Sequence, residues 1–179
     1  EHPQIIGPYA IQYSMNWRLD DMSYRMSRFV EDLGYQTVPI ASSNIWRYRG
    51  YKDLTAQFAP DVSHIHCAVA CGLAEFGYNG LAITPEFGAH QRYVTIITDA
   101  ELTPSPLLEP GSVCDQCMIC RKECRSGALS KEINGWNEVK IEDKVYRYAN
   151  KNLWRCAWGE HFDIDLDLPI PEKVDEMVL

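Results

Sequence analysis

The sequence predicts a mixed α/β (α+β) fold in which helices interleave with short strands, joined to a small cysteine-rich appendage. Three observations carry that expectation. Stretches with apolar residues at helical spacing alternate with short β-prone runs. A hydrophobic fraction of 46% and a charged fraction of 23% are ordinary for a packed domain and exclude disorder, a collagen-like repeat and a coiled coil. Of the seven cysteines, four fall within eleven residues: Cys114, Cys117, Cys120 and Cys124.

The elements follow in order. Tyr9 to Met15 is apolar and β-prone and reads as a strand. Asp20 or Asp21 caps a helix whose apolar residues Met22, Met26, Phe29, Val30 and Leu33 recur at helical spacing, and Gly34 ends it. Thr37 to Ala41 reads as a short strand, and the basic, aromatic stretch Ile45 to Lys52 as a loop. A second helix is expected from about Asp61 to Glu75, broken by Gly77, Asn79 and Gly80. Leu81 to Thr84 and Tyr93 to Thr98 read as strands with Pro85 and Gly88 in the turn between them. The proline-rich run Leu102 to Gly111 is a linker into the cysteine cluster. Val139 to Ile141 and Val145 to Tyr148 fit a hairpin turned by Glu142, Asp143 and Lys144. The expected division is a core over 1–110, a cysteine module over 111–159 and an acidic segment over 160–179 that finishes in a short helix.

Charge narrows the partners. The net charge is −8, and the segment from Glu160 on, with seven acids and one base, carries −6 of it. A nearly neutral body lacks the basic surplus of a nucleic-acid binder. No run approaches the ~18 apolar residues of a membrane span. A chain that opens at Glu1 without Met and stops at Leu179 in a helix-like stretch is expected to be part of a longer protein.

Cys114-x2-Cys117-x2-Cys120-x3-Cys124 is the strongest chemical signal. Two-residue gaps let one tight loop present three sulfurs to three irons of a cubane cluster. Structural zinc takes two separated cysteine pairs, which this spacing fits poorly. The expectation is a [4Fe-4S] cluster held by Cys114, Cys117 and Cys120, with Cys124 or Cys156 as fourth ligand. Arg125 stands where such runs usually continue with proline. Short-spaced thiols used as ligands imply a reducing, cytoplasmic setting.

The stretch His66-Cys-Ala-Val-Ala-Cys-Gly-Leu-Ala-Glu-Phe-Gly-Tyr-Asn-Gly-Leu-Ala-Ile-Thr-Pro-Glu-Phe-Gly88, then Ile96-Ile97-Thr98-Asp99, then the cysteine run, resembles the corrinoid-dependent reductive dehalogenases and the epoxyqueuosine reductases. The match covers roughly His64 to Ala128 in motif order and spacing, with Ala74 in place of a glycine. The resemblance implies a nitroreductase-like core with a ferredoxin-like iron–sulfur appendage. It implies cobalamin (a corrinoid) between the two, lined by Phe76, Gly77, Asn79, Gly80, Thr84 and Gly88, with electrons passing from cluster to cobalt to a small-molecule substrate. It further implies a proton donor, for which Asp61, Tyr78, His64 and His66 stand near the motif with Asp61 and Tyr78 preferred, and a redox donor such as ferredoxin or flavodoxin.

Each assignment has a plainer counterpart. Asp61 reads equally as a helix cap. His64 and His66, two apart, are expected on different helix sides, one buried and one exposed. Cys67 and Cys71 share a helix face at i, i+4 and read as small core residues. Trp46 to Lys52 suits stacking on a base or corrinoid tail, or a loop packed on the core. Arg121, Lys122 and Arg125 flank the cysteines and suit an acidic electron donor. Two other functions stay open at this level: an electron carrier without corrinoid, and a zinc-binding scaffold.

Overall fold

A computed structural model describes residues 6–43, 60, 62–129, 135–153 and 155–156. Helix α1 spans Ile6–Asp32, followed by β1 (Thr37–Pro39), α2 (His64–Ala70), β2 (Glu75–Phe76), β3 (Ala82–Ile83), β4 (Ile96–Thr98), α3 (Ile119–Lys122), β5 (Trp136–Ile141) and β6 (Lys144–Ala149). The mixed α/β expectation holds. Instead of one sheet flanked by helices, the described strands make three two-stranded antiparallel sheets, β1–β4, β2–β3 and β5–β6.

α1 runs straight through the stretch that reads as a strand, Tyr9 to Met15. Its polarity is inverted. Asn16, Ser23 and Ser27 are buried, whereas Trp17, Met22, Tyr24, Met26 and Phe29 are exposed, Trp17 by 75%. The apolar stripe expected to face a core therefore points outward. The reason lies in the partner: α1 packs on the backbone after its own turn through polar groups. Asp20 Oδ1 accepts the Ser42 N–H at 2.8 Å, the Asn16 carbonyl accepts the Ser42 hydroxyl at 3.2 Å, and Glu31 Oε1 accepts the Thr37 hydroxyl at 2.8 Å.

β1 pairs with β4, Thr37 opposite Thr98 and Pro39 opposite Ile96. The pairing of β4 with the Leu81–Thr84 run does not occur; that run forms β3 and pairs with β2, whose first residue, Glu75, is the expected end of the second helix. That helix is short because its C-terminus is firmly capped. Gly72 sits at φ +72, its N–H bonds the Val69 carbonyl at 3.0 Å and the Leu73 N–H bonds the Ala68 carbonyl at 3.0 Å, a Schellman closure. A Cβ on Gly72 would stand 2.4 Å from the Pro106 carbonyl oxygen, so the proline-rich segment crosses against the helix end. The N-cap is Ser63, whose hydroxyl accepts the His66 N–H at 3.4 Å.

The main core joins Ala68, Val69, Ala74, Phe76, Ala82 and Tyr146. Tyr146, from the β5–β6 hairpin, is 1% exposed, and its hydroxyl donates to the Leu108 carbonyl at 2.7 Å. The hairpin forms as expected but packs into the core across residue 110, so one apolar cluster is shared by both sides of that boundary. His64 links this core to the β1–β4 pair: its ring nitrogens bond the Thr95 hydroxyl and the Ala41 carbonyl, both at 2.8 Å. His66 is tied too, to the Ser63 hydroxyl at 2.7 Å, and both imidazoles are half-buried, which replaces the expected buried-and-exposed pair.

Candidate metal centre

The cysteine run is folded back on itself by its backbone. Gln116 (φ +55) and Met118 (φ +62) are left-handed without being glycine. Such residues are uncommon and are retained where the surroundings over-determine them. One lies between Cys114 and Cys117, the other between Cys117 and Cys120. The Cys117 N–H bonds Asp115 Oδ1 at 3.0 Å, tightening the first turn. α3 then carries Cys120, and Cys124 follows it, closed by the Gly127 N–H on the Cys124 carbonyl at 3.0 Å.

Cys114, Cys120, Cys124 and Met118 pack against one apolar floor of Tyr78, Leu129 and Ala149, while Cys117 is exposed. Burial pushes the Cys120 thiol above its usual range; the Arg121 N–H pulls it down, and the nearby Cys114 and Cys117 push it further up. The backbone N–H of Tyr78 donates to Cys114 Sγ at 3.3 Å. The Tyr78 ring stands edge-on to Trp136 at 5.5 Å. Buried Arg155 donates to the Ser126 carbonyl at 3.4 Å, bringing a cation two residues from Cys124.

Among the described residues, no three His, Cys, Asp or Glu side chains form a group that holds a single metal ion. A cubane makes a different demand, since each thiolate meets its own iron and the sulfurs stand apart. The soft donor set, the left-handed turns and the N–H directed at a sulfur fit such a cluster. Cys156 belongs to a separate turn, its N–H on the Asn152 carbonyl at 3.1 Å, and that turn is tied to the cysteine module through the Asn152 N–H on the Ala128 carbonyl at 3.1 Å. Cys71 is exposed at the α2 C-cap, not a core residue; Cys67 is half-buried.

The residues placed on a corrinoid face are largely turned inward. Phe76 is 2% and Thr84 6% exposed. The bare face of Gly77 meets Asn79 Oδ1 at 3.0 Å, and that of Gly80 meets the Tyr148 ring at 3.0 Å. Asn79 Oδ1 accepts the Leu81 N–H at 3.1 Å, and the Thr84 hydroxyl accepts the Phe87 N–H at 3.1 Å. Gly88 alone of the glycines in this set has open space. These side chains and glycines make contacts within the local fold. Tyr78, a proton-donor candidate, is buried at 6% beneath the cysteine loop. Asp61, the other candidate, lies outside the described residues, as do Trp46 to Lys52 and the acidic segment 160–179.

No protein-family model matches the chain. A tetrachloroethene reductive dehalogenase of Desulfitobacterium hafniense is 29% identical over 156 residues, 87% of this chain and 25% of that protein. One from Sulfurospirillum multivorans is 32% identical over 48% of this chain and 17% of its own length. A chloroethene reductive dehalogenase of Dehalococcoides mccartyi (strain VS) is 39% identical over 34% of this chain and 12% of its own length.

The chain is distantly similar in sequence to reductive dehalogenases.

The chain spans about a quarter of the length of the first of these proteins. No described helix in it is long and apolar enough to cross a membrane. The sequence does not show what two of its site residues do. Glu75 reads as the end of a helix, yet it is a strand residue, 4% exposed, whose carboxylate reaches the segment before Cys114. Arg155 reads as a neighbour of Cys156, yet it is buried against Ser126. Charged residues are rarely so buried without partners, but only the folded chain names the partners.

Proposed function

We propose that this chain is the iron–sulfur, electron-delivering part of a redox protein of the reductive-dehalogenase kind, with a small halogenated organic molecule as terminal acceptor. Reductive removal of a halide consumes two electrons and one proton, breaks the carbon–halogen bond and forms a carbon–hydrogen bond. A [4Fe-4S] cluster supplies the electrons one at a time, at a potential set by its hydrogen bonds, charge and exposure. Cys114, Cys117 and Cys120 hold it, and Cys124 is the fourth ligand. The observation that carries this is the shared floor under Cys114, Cys120 and Cys124, with the Tyr78 N–H aimed at the Cys114 sulfur. The floor shields one side, and exposed Cys117 leaves the other open to a donor.

A second function is favoured by one observation. Because Phe76, Thr84, Gly77 and Gly80 are employed internally, the proposed role ends at the cluster: electron transfer without a corrinoid held by these residues. Elemental analysis decides between the two. The chain is purified without oxygen from cells fed cobalamin, and iron, acid-labile sulfide, cobalt and zinc are measured. Iron and sulfide of about four each per chain, the stoichiometry of one cubane, support the cluster. Cobalt at one per chain beside them makes it a corrinoid reductase; no cobalt makes it an electron carrier. Zinc without sulfide overturns both.

A further inference from the structure

We infer that Glu75 is a positioning residue for the cluster, holding the loop that delivers Cys114; this rests on the iron–sulfur function proposed above. Glu75 is a buried carboxylate on a two-residue strand, and its backbone is fixed opposite Ile83. Oε1 accepts the Gly111 N–H at 2.7 Å; Oε2 accepts the Val113 N–H at 2.7 Å and the Ser112 hydroxyl at 3.3 Å. Three consecutive residues immediately before Cys114 are thus gripped by one side chain. Three residues further along the same segment, the Tyr78 N–H takes the Cys114 sulfur itself. The segment from Glu75 to Tyr78 grips the loop twice: a carboxylate accepts from its backbone, and a backbone N–H donates to its thiol.

Both carboxylate oxygens act only as acceptors, so the geometry selects Glu over its nearest isostere. Gln offers one acceptor oxygen and an NH2 group, and that NH2 would face a backbone N–H, donor against donor. Burial of Glu75 makes the mismatch costly. Partners that orient a ligand without touching the metal typically alter its retention about 10–100-fold. The buried negative charge also opposes adding an electron to a cluster next to it, so the carboxylate holds the potential down.

The test uses the full chain, reconstituted without oxygen with ferrous iron and sulfide. Glu75→Gln is compared with wild type for amide hydrogen exchange at Gly111 and Val113 in the metal-free chain, for the rate of iron loss to a chelator, and for midpoint potential by redox titration. The expected result is lost exchange protection at both amides, iron loss about 10–100-fold faster, and a higher potential. Unchanged protection and an unchanged loss rate in a loaded protein overturn the proposal alone. A wild-type chain that takes up no iron and sulfide overturns the iron–sulfur function and the proposal together. If Glu75→Gln does not fold, Ser112→Ala, which removes a single exposed donor, is read instead: faster iron loss supports the clamp, and wild-type kinetics overturn it.

Discussion

The backbone N–H of Tyr78 points at the sulfur of Cys114 across 3.3 Å, and the carbonyl of the same residue takes the Ala149 N–H at 2.9 Å. Tyr78 therefore rivets the cysteine loop to the end of β6. The turn after β2, which resemblance assigns to a cofactor face, holds the Cys114 thiol.

Removing thiols one at a time separates ligands from bystanders. Serine at Cys114, Cys117, Cys120 or Cys124 should abolish the visible iron–sulfur absorbance and most bound iron. Cys156→Ser should keep both, because Cys124 shares the floor of Cys114 and Cys120. Iron and sulfide per chain check this. Retention by Cys124→Ser with loss by Cys156→Ser would reverse the fourth-ligand assignment.

Gly72→Ala should destabilise the chain by at least about 2 kcal/mol, since a left-handed Cβ alone costs about 1–2 kcal/mol and this one also meets the Pro106 carbonyl oxygen at 2.4 Å. For a chain of this length that is a drop in melting temperature of roughly 4–8 °C. Gly88→Ala is the control: it too is left-handed, φ +58, but opens onto free space. It should lose about half as much or less, by the left-handed cost alone.

His66 predicts the pH response. Burial against Phe76 and Tyr148 lowers its pKa below the ordinary 6.5. Below pH 6.5 the unfolded chain therefore takes up a proton that the folded chain resists, and stability falls as the pH drops through that point. The loss levels off once the pH passes below the folded pKa. Urea melts of wild type and His66→Gln between neutral and mildly acidic pH should show the difference between the two curves shrinking on acidification, with His66→Gln the flatter.

Arg121, Lys122 and Arg125 are exposed around exposed Cys117 and Ile119. An acidic one-electron donor should dock there by charge, with an association rate that falls as salt rises. Reversing all three charges to Glu should slow reduction by an acidic carrier at low salt and remove most of the salt dependence. The rate with a small neutral reductant should stay the same. Stopped-flow reduction measures both.

Much of this was written into the sequence. The spacing of Cys114, Cys117, Cys120 and Cys124 marks the cysteine module, because such spacing is a local property of the chain. The β5–β6 hairpin and the turn at Glu142 and Asp143 are legible for the same reason: alternation and a turn are local. Tertiary structure decided what depends on partners distant in the chain. Whether Tyr9 to Met15 is strand or helix turned on continuity with the helix behind it, and which face of α1 is buried turned on where Ser42 and Thr37 bring their hydrogen-bonding groups. Glu75 and Tyr78 acquire their part only when the chain brings them 36 to 38 residues back onto the loop ahead of Cys114 and onto its sulfur. A buried carboxylate must find donors, and spacing cannot say which backbone will supply them.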